Sequence, residues 1–120
     1  MKFMMLIYDN PGTRELFQSG EGKHLRDEAL SIMAELTESG ELLSTEGLAD
    51  PVNTYSLRIE NGAPVVTDAP LAESKEFFGG YLRLDVDSLE RALAIAKRWP
   101  SLPYGAVEVR PIMFAGGTEL

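Results

Sequence analysis

A near-continuous apolar run at Lys2–Tyr8 opens the chain. Continuous apolarity predicts a strand that is covered on both faces or paired in the middle of a sheet. The turn-forming residues Asp9–Gly12 are expected to stop this strand, which leaves Asp9 at its carboxyl end, an edge where ligands often bind. Arg14–Glu21 is polar and indicates no element. From Gly22 a helix is predicted, with an apolar stripe at three- and four-residue spacing formed by Leu25, Ala29, Ile32, Met33 and Leu36.

The middle of the chain predicts a hairpin. Gly40 is expected to end the first helix in the left-handed conformation, and Glu41–Leu48 is a candidate second strand. Strict alternation at Thr54–Glu60 predicts a half-buried strand. Asn61-Gly62 is a strong signal for a two-residue turn, so Ala63–Thr67 is the predicted return strand.

A strand, a helix and a last strand are predicted in the final third. Gly80–Val86 alternates, and Asp87 is expected to cap the second helix because Glu90 completes a capping box. Ala106–Met113 is the last predicted strand, and Pro111 places it at an edge of the sheet because proline cannot donate to a ladder. Residues 115–117 are predicted to form a loose tail. The buried stripe of the second helix is predicted to be Leu89, Ala92, Leu93 and Ala96.

The order of elements is β-α-β-(hairpin)-β-α-β, which is typical of the α+β class with a ferredoxin-like, largely antiparallel sheet. The 120 residues form a single domain that can bury a core without a metal or a disulfide. Helices on one side leave the other face of the sheet bare. A second copy of the chain would cover that face, so we predict a homodimer with its sheets face to face.

The charge balance argues against nucleic acid and membrane partners. Nineteen acidic and eleven basic residues give a net charge of −8, whereas phosphate binding needs a clustered basic surface. The chain has no cysteine, which excludes disulfides, a thiolate nucleophile and cysteine-ligated metals, and favours the cytoplasm. The apolar run at residues 3–8 is too short for a signal peptide or a membrane span. No cofactor is implied.

The segment Asp68–Lys75 reads DAPLAESK and is followed by FFGGYLRLDVDSLERALAIAKRWP. Together with the opening KFMMLIY, the VTD exit of the hairpin and the terminal VEVRP, it resembles the YCII-related family, specifically the subgroup with a DGPF motif. Ala69, Leu71 and Ser74 depart from that motif, which has Gly, Phe and Thr there. The resemblance implies a dimeric α+β barrel of ferredoxin-like subunits. Some members resemble proteins encoded beside extracytoplasmic-function sigma factors, and a few relatives are hydrolytic or dehalogenating enzymes.

The resemblance also implies where catalytic residues of the broader family would fall. Its proposed pair is a histidine in the first helix and an aspartate before a proline after the second helix. These positions correspond to Ala29 and Trp99 here, so neither residue of the pair is present. His24 lies more than a turn earlier and inherits the role only if the start of the helix is remodelled.

Several residues are candidates for chemistry or packing around the connection from hairpin to strand. His24 and Asp68 are the candidate catalytic residues, because an imidazole or a buried carboxylate can transfer protons. The sequence favours a plainer explanation of both, with Asp68 as an Asx-turn residue and His24 as an exposed residue at the start of a helix. The sole histidine and the lack of cysteine predict no metal site. Phe77 and Phe78 are expected to pack under the connection to Gly79-Gly80.

The candidate ligand-binding residues are Asp68, Glu73, Tyr81 and Arg83. Tyr81 and Arg83 share a strand face, which either lines a cavity or carries cross-strand ion pairs. Glu73 lies at a pocket mouth or belongs to a solvated turn.

Three functions remain open. The leading hypothesis is a small-molecule-binding accessory or sensing protein whose cleft lies beside Asp68 and Tyr81. The alternative is a cofactor-free enzyme, with proton-transfer, dehalogenase-like or hydrolase-like chemistry, that uses His24 or Asp68. This alternative requires the two side chains to converge on one cavity. The third is an interaction module linked to transcription regulation.

Overall fold

The structure is a computed structural model that describes residues 1–114, so the predicted tail at residues 115–117 lies outside it. The described part contains six strands and three α-helices. The strands are β1 (Lys2–Asp9), β2 (Leu42–Gly47), β3 (Ser56–Glu60), β4 (Ala63–Thr67), β5 (Phe77–Asp85) and β6 (Ala106–Pro111). The helices are α1 (Pro11–Gln18), α2 (Lys23–Glu38) and α3 (Leu89–Lys97).

Four strands form an antiparallel sheet in the order β2-β5-β1-β6. This is the predicted α+β, ferredoxin-like arrangement, in which α1 and α2 link β1 to β2 and α3 links β5 to β6. The apolar run of β1 lies in the middle of the sheet, as its continuity predicts. Pro111 is the last residue of β6, which is an edge strand of the sheet. Proline is tolerated there because its missing N–H does not remove a hydrogen bond from the ladder.

The core lies between this sheet and the helices on one face of it. Phe3, Met5 and Ile7 of β1 face the helices, and Ile32 and Leu36 of α2 cover them. Burial of such side chains stabilises the fold by roughly 1.5–3 kcal/mol each. In α3 the predicted stripe is partly wrong, because its two leucines are about 40% exposed. The buried side of α3 is Ala92, Ile95 and Ala96.

Two helix starts differ from the prediction. Asn10 caps α1, because its Oδ1 accepts from the N–H of Thr13 and the Thr13 Oγ1 accepts in return from the N–H of Asn10. Residues expected to form only a turn therefore begin a helix, with proline at its first position. In α3 the cap is Ser88, whose Oγ accepts from the N–H of Arg91, and not Asp87.

Strands β3 and β4 form a separate two-stranded sheet, which we call the arm. Asn61 and Gly62 have φ of 52° and 79°, as the predicted two-residue turn requires. The predicted half-burial of β3 is wrong in the single chain, because Leu57 and Ile59 are 61% and 67% exposed. The radius of gyration is 16.4 Å, compared with about 14 Å for a compact chain of this length. The arm therefore projects from the body of the subunit.

Candidate functional site

A cavity of about 420 Å³ lies between α1, α2 and the β2–β5 side of the sheet. This volume suits one small, ring-sized molecule. Most of its wall is apolar, and the buried part of that wall includes Ile7, Ala29, Leu82 and Trp99. Polar groups enter where β1 ends and α1 begins. The polar lining residues at this end are Asp9, Thr13, Arg14 and Ser101.

Asp9 and Arg14 form an ion pair at the cavity. Asp9 is the last residue of β1, and the Asn10 cap starts α1 directly after it, so Arg14 follows one helical turn later. The Arg14 Nε lies 3.2 Å from the Asp9 Oδ2, and the two side chains are 23% and 17% exposed. Arg14 Nη1 lies 3.4 Å from Asp50 Oδ1, Nη2 donates to the Leu48 carbonyl at 2.8 Å, and the guanidinium stacks 5.6 Å from the Phe77 ring centre. These contacts fix the guanidinium in place.

Gly79 makes room for this pair. The register of β1 with β5 passes from Ile7 opposite Gly80 to Tyr8 opposite Phe78, so Gly79 is the extra residue of a β-bulge. A Cβ at Gly79 would lie 2.0 Å from the Asp9 Oδ2 and 3.3 Å from the Arg14 Nη2. The sequence predicted that residues 77–79 belong to a connection, but they are the start of β5. Position 79 is therefore a glycine because the Asp9 carboxylate occupies the space that a side chain would need.

Burial raises the pKa of Asp9 above its ordinary value, even though the Arg14 guanidinium favours the ionised form. Removing a carboxylate from water disfavours its charge, and here this effect exceeds the attraction of one neighbouring cation. Asp50 adds a further small rise by repulsion. A carboxyl group of this kind is suited to accept a proton from a ligand.

Two buried polar atoms of the cavity wall make no hydrogen bond within residues 1–114. They are the Ser101 Oγ, in a residue that is 2% exposed, and the Arg14 Nε, whose contact with the Asp9 Oδ2 at 3.2 Å is an ion pair. Buried polar groups are almost always paired, and an unmade hydrogen bond costs roughly 1–3 kcal/mol. Because both residues line the same cavity, a bound molecule with acceptor atoms could accept hydrogen bonds from both of them.

The predicted ligand-binding residues other than Asp68 are divided among three places. Tyr81 lines the cavity, and its hydroxyl donates to the Glu46 Oε1 at 2.6 Å. Arg83 lies opposite Met4 on the central strand and is not among the residues around this cavity. Glu73 is exposed and lines a second, open cavity of about 820 Å³ between the arm and the segment before β5.

His24 and Asp68 are both exposed. The His24 Nδ1 lies 2.9 Å from the Glu21 carbonyl at the start of α2, and Asp68 follows the arm. Neither residue lines either of the two cavities, so the structure does not bring them together around a common space there. Their catalytic role stays a prediction.

Ala29 and Trp99, the positions that correspond to the histidine and aspartate of the broader family, both line the cavity. Both of these side chains are apolar. The ionisable groups around the cavity come from other elements, namely Asp9 and Arg14.

Sequence reasoning missed Arg14 and Ser101 as site residues. The sequence pattern predicts that Asp9 lies at a sheet edge where ligands often bind, without indicating its role, and Asp9 does line the cavity at the end of β1. The available signal was the run Asp9–Arg14, in which an N-cap and a proline place a carboxylate and a guanidinium one helical turn apart. Ser101 carried no signal, because its burial depends on the packing of the loop after α3.

Among residues 1–114, no group of three or more His, Cys, Asp or Glu side chains is arranged to hold a metal ion. None of the helices in this part of the chain is long and apolar enough to cross a membrane.

Three similarities to known proteins bear on this chain. The family model described as the YCII-related domain matches residues 1–114. An uncharacterised protein of Rhizobium meliloti (strain 1021) is 26% identical over 122 residues, covering 100% of this chain and 98% of that protein. The fold is similar to that of 5-chloro-2-hydroxyhydroquinone dehydrochlorinase from Burkholderia phenoliruptrix AC1100, solved in complex with 2,5-dihydroxybenzoquinone. The TM-score is 0.51 at 15% identity, over 96% of both chains.

Proposed function

Because the chain belongs to the YCII-related family, we propose that it binds a small, ring-bearing molecule in the cavity between its sheet and its first two helices. The observation that carries this proposal is the buried Ser101 hydroxyl, which has no hydrogen-bond partner within the described residues and lines a mostly apolar space. An apolar wall with a few convergent polar groups is the usual composition of a small-molecule site. The leading hypothesis from the sequence thus keeps Tyr81, while the polar end of the site moves from Asp68 to Asp9 and Arg14.

The test is a binding experiment with a variant that fills the cavity. The probes are 2,5-dihydroxybenzoquinone, 4-nitrophenol and benzoic acid, with cyclohexanol as the non-aromatic comparison, measured by calorimetry and thermal shift. Ala29→Leu adds three carbons at a buried residue of the cavity wall, and we expect this variant to fold and to lose binding. Ala94→Leu, on the exposed side of α3, is the matched control and should bind as the wild type does. Absence of binding by every probe, or equal binding by both variants, would contradict the proposal.

A second candidate function is a cofactor-free enzyme with Asp9 as the proton acceptor. The raised pKa of Asp9 favours it, because a carboxylate that is costly to keep ionised is a better base. The similarity of fold to a dehydrochlorinase supports this function without identifying a reaction. The assay follows deuterium incorporation from heavy water into the ring positions of 2,5-dihydroxybenzoquinone by NMR.

Three variants assign the base in that assay. We expect Asp9→Asn to lose the enhanced exchange while it still binds the probe. Asp68→Asn and His24→Gln test the two residues predicted from the sequence. Loss of exchange in either of these, with Asp9→Asn unaffected, would transfer the role to that residue. Exchange no faster than in protein-free solution would refute the enzyme function.

We also propose that the partner is a second copy of the chain. The face of the sheet away from the helices carries half-buried apolar residues of β1, and the arm exposes Leu57, Ile59 and Val66. Isolated two-stranded hairpins are marginal in water, and pairing two copies would cover both surfaces at once. We expect Leu57→Lys to shift the molecular mass measured by light scattering from dimer to monomer. Leu93→Lys, at an exposed leucine of α3, should leave it unchanged. A monomeric wild type would overturn the proposal.

A further inference from the structure

Two buried hydrogen-bond donors of the cavity wall can take an acceptor from a ligand. They are the Ser101 hydroxyl, which makes no hydrogen bond within residues 1–114, and the Arg14 Nε, whose contact there is the ion pair with the Asp9 Oδ2 at 3.2 Å. The Arg14 Nε can only donate, and its Nη1 and Nη2 are already engaged by Asp50 and by the Leu48 carbonyl. The Ser101 hydroxyl can donate to an acceptor and has no partner within residues 1–114. A ligand oxygen that accepts hydrogen bonds can pair with the Ser101 hydroxyl and can replace the Asp9 carboxylate as the partner of Nε, whereas a ligand that only donates offers Nε no acceptor.

Charge further restricts that oxygen. The Asp9 carboxylate faces the same space and already balances Arg14, so a ligand that arrives as a full anion would face repulsion. A ligand that arrives neutral with an acidic hydroxyl avoids this cost. Its proton can pass to Asp9, and its oxygen then takes the negative charge beside the two donors. The other charged or titratable groups around the cavity are Arg26, Glu46 and Tyr81.

Resting on the proposed function, we propose that the cavity takes a ring with an acidic hydroxyl, an enol or a phenol, and holds it as the oxyanion. Ser101 Oγ and Arg14 Nε donate to the oxyanion. The ligand O–H bond breaks, a new O–H bond forms on the Asp9 carboxylate, and the electron pair stays on the ligand oxygen. The total charge of the cavity is unchanged. Protonation of Asp9 also releases Arg14 Nε from its ion pair, so that this donor becomes available to the new anion.

The apolar wall of the cavity further restricts which ligand can bind. Trp99, Ile7 and Leu82 are buried around the cavity and present apolar surface to the ring. A non-aromatic polyol would lose its hydration there without replacement. The hydroxyl-bearing edge of the ring therefore faces Asp9, and the remainder of the ring faces the apolar wall.

The experiment is a pH titration of 4-nitrophenol, whose ionised form alone absorbs visible light, in the presence of excess wild-type protein. We expect the apparent pKa of the bound probe to fall by about one unit, a tenfold preference for the phenolate, as one charge-assisted hydrogen bond provides. 4-Nitroanisole has the same ring without an ionisable proton and should bind at least about tenfold more weakly.

Variants test whether the Ser101 hydroxyl, rather than the packing around it, causes the pKa shift of the bound probe. Ser101→Ala should lose a large part of the pKa shift, while its thermal stability is equal to or higher than that of the wild type, because a buried unsatisfied hydroxyl is removed. Ser31→Ala, on the exposed side of α2, should keep the full shift.

The outcomes distinguish this inference from the proposed function. Binding of 4-nitrophenol with an unchanged or raised pKa would overturn the inference and leave the binding function intact, as would equal affinity for 4-nitroanisole. Binding of neither probe nor any other ring would overturn both. If Ser101→Ala fails to fold, the comparison of the two probes on the wild-type protein still decides the matter.

Discussion

Replacing Gly79 by alanine tests whether the bulge exists to accommodate the Asp9–Arg14 pair. Gly79 has no positive φ, so its backbone conformation is open to any residue and the cost is steric. The new Cβ would lie 2.0 Å from Asp9 Oδ2 and 2.8 Å from Asp9 Cγ, which real atoms do not tolerate. The carboxylate must move away and give up part of its contact with Arg14. Overpacking of this kind costs about 1–3 kcal/mol of the free energy of unfolding.

That cost can be measured by thermal and urea unfolding. For a chain of this size, 1 kcal/mol lowers the melting temperature by about 4 °C, so Gly79→Ala should melt about 4–12 °C lower. Gly20→Ala is the matched control, because no heavy atom lies within 4 Å of the position that its Cβ would occupy. It should be neutral or slightly stabilising, since alanine reduces the freedom of the unfolded chain.

A double-mutant cycle identifies the cause. Asp9→Ala removes both atoms of the closest clash, so Gly79→Ala should cost little in that background. An equal cost of Gly79→Ala with and without Asp9 would refute the reasoning, as would a variant as stable as the Gly20→Ala control. Weakened binding of the ring probes by Gly79→Ala would further link the bulge to the cavity.

Three other changes test the electrostatics and capping of the fold. Burial raises the pKa of Asp9 above its ordinary value, so the ionised carboxylate opposes folding as pH rises from that ordinary value through the raised one. Asp9→Asn should therefore gain stability relative to the wild type as pH rises above about 4, in urea unfolding at several pH values. The bidentate Arg91 pair lowers the pKa of Glu41 to about 2, a contribution that is present above the ordinary pKa and lost as pH falls towards 2. Glu41→Gln should therefore cost about 1 kcal/mol at neutral pH, a value reduced by the exposure of Arg91, and nothing near pH 2. Ser88→Ala should cost about 1 kcal/mol through loss of the α3 cap, whereas Asp87→Ala should cost less; the reverse order would contradict the assigned cap.

Elements with a strong local signal were predictable from the sequence. Helix α2 ends at Glu38, and Gly40 after its cap has a φ of 80°, the left-handed conformation expected of a helix-terminating glycine. The Asn61-Gly62 turn and the central position of β1 also follow from short-range patterns. Strand order then follows from the alternation of strands and helices, because few topologies satisfy it.

The rest depended on contacts between distant residues. Alternation in β3 predicts that one face is covered, but not by what, and within the single chain that face is exposed. Gly79 is unexceptional in the sequence until the register of β1 with β5 shows that Asp9 occupies its side-chain space. The burial of Ser101 is likewise a product of the loop that follows α3. The polar end of the cavity could not be assembled from local patterns for this reason.

The hydrogen bonds of the arm link residues that are close in sequence. Its ladder runs from Glu60 opposite Ala63 to Ser56 opposite Thr67, and within residues 1–114 neither strand pairs with the four-stranded sheet. Such a hairpin can open and close on the microsecond timescale while the core stays folded. In an isolated subunit, its amide hydrogens should therefore exchange with solvent through local opening, at free energies well below those that protect β1. Hydrogen exchange at the arm would therefore report directly on whether the exposed apolar face of the arm is covered by a partner, independently of the global stability of the protein.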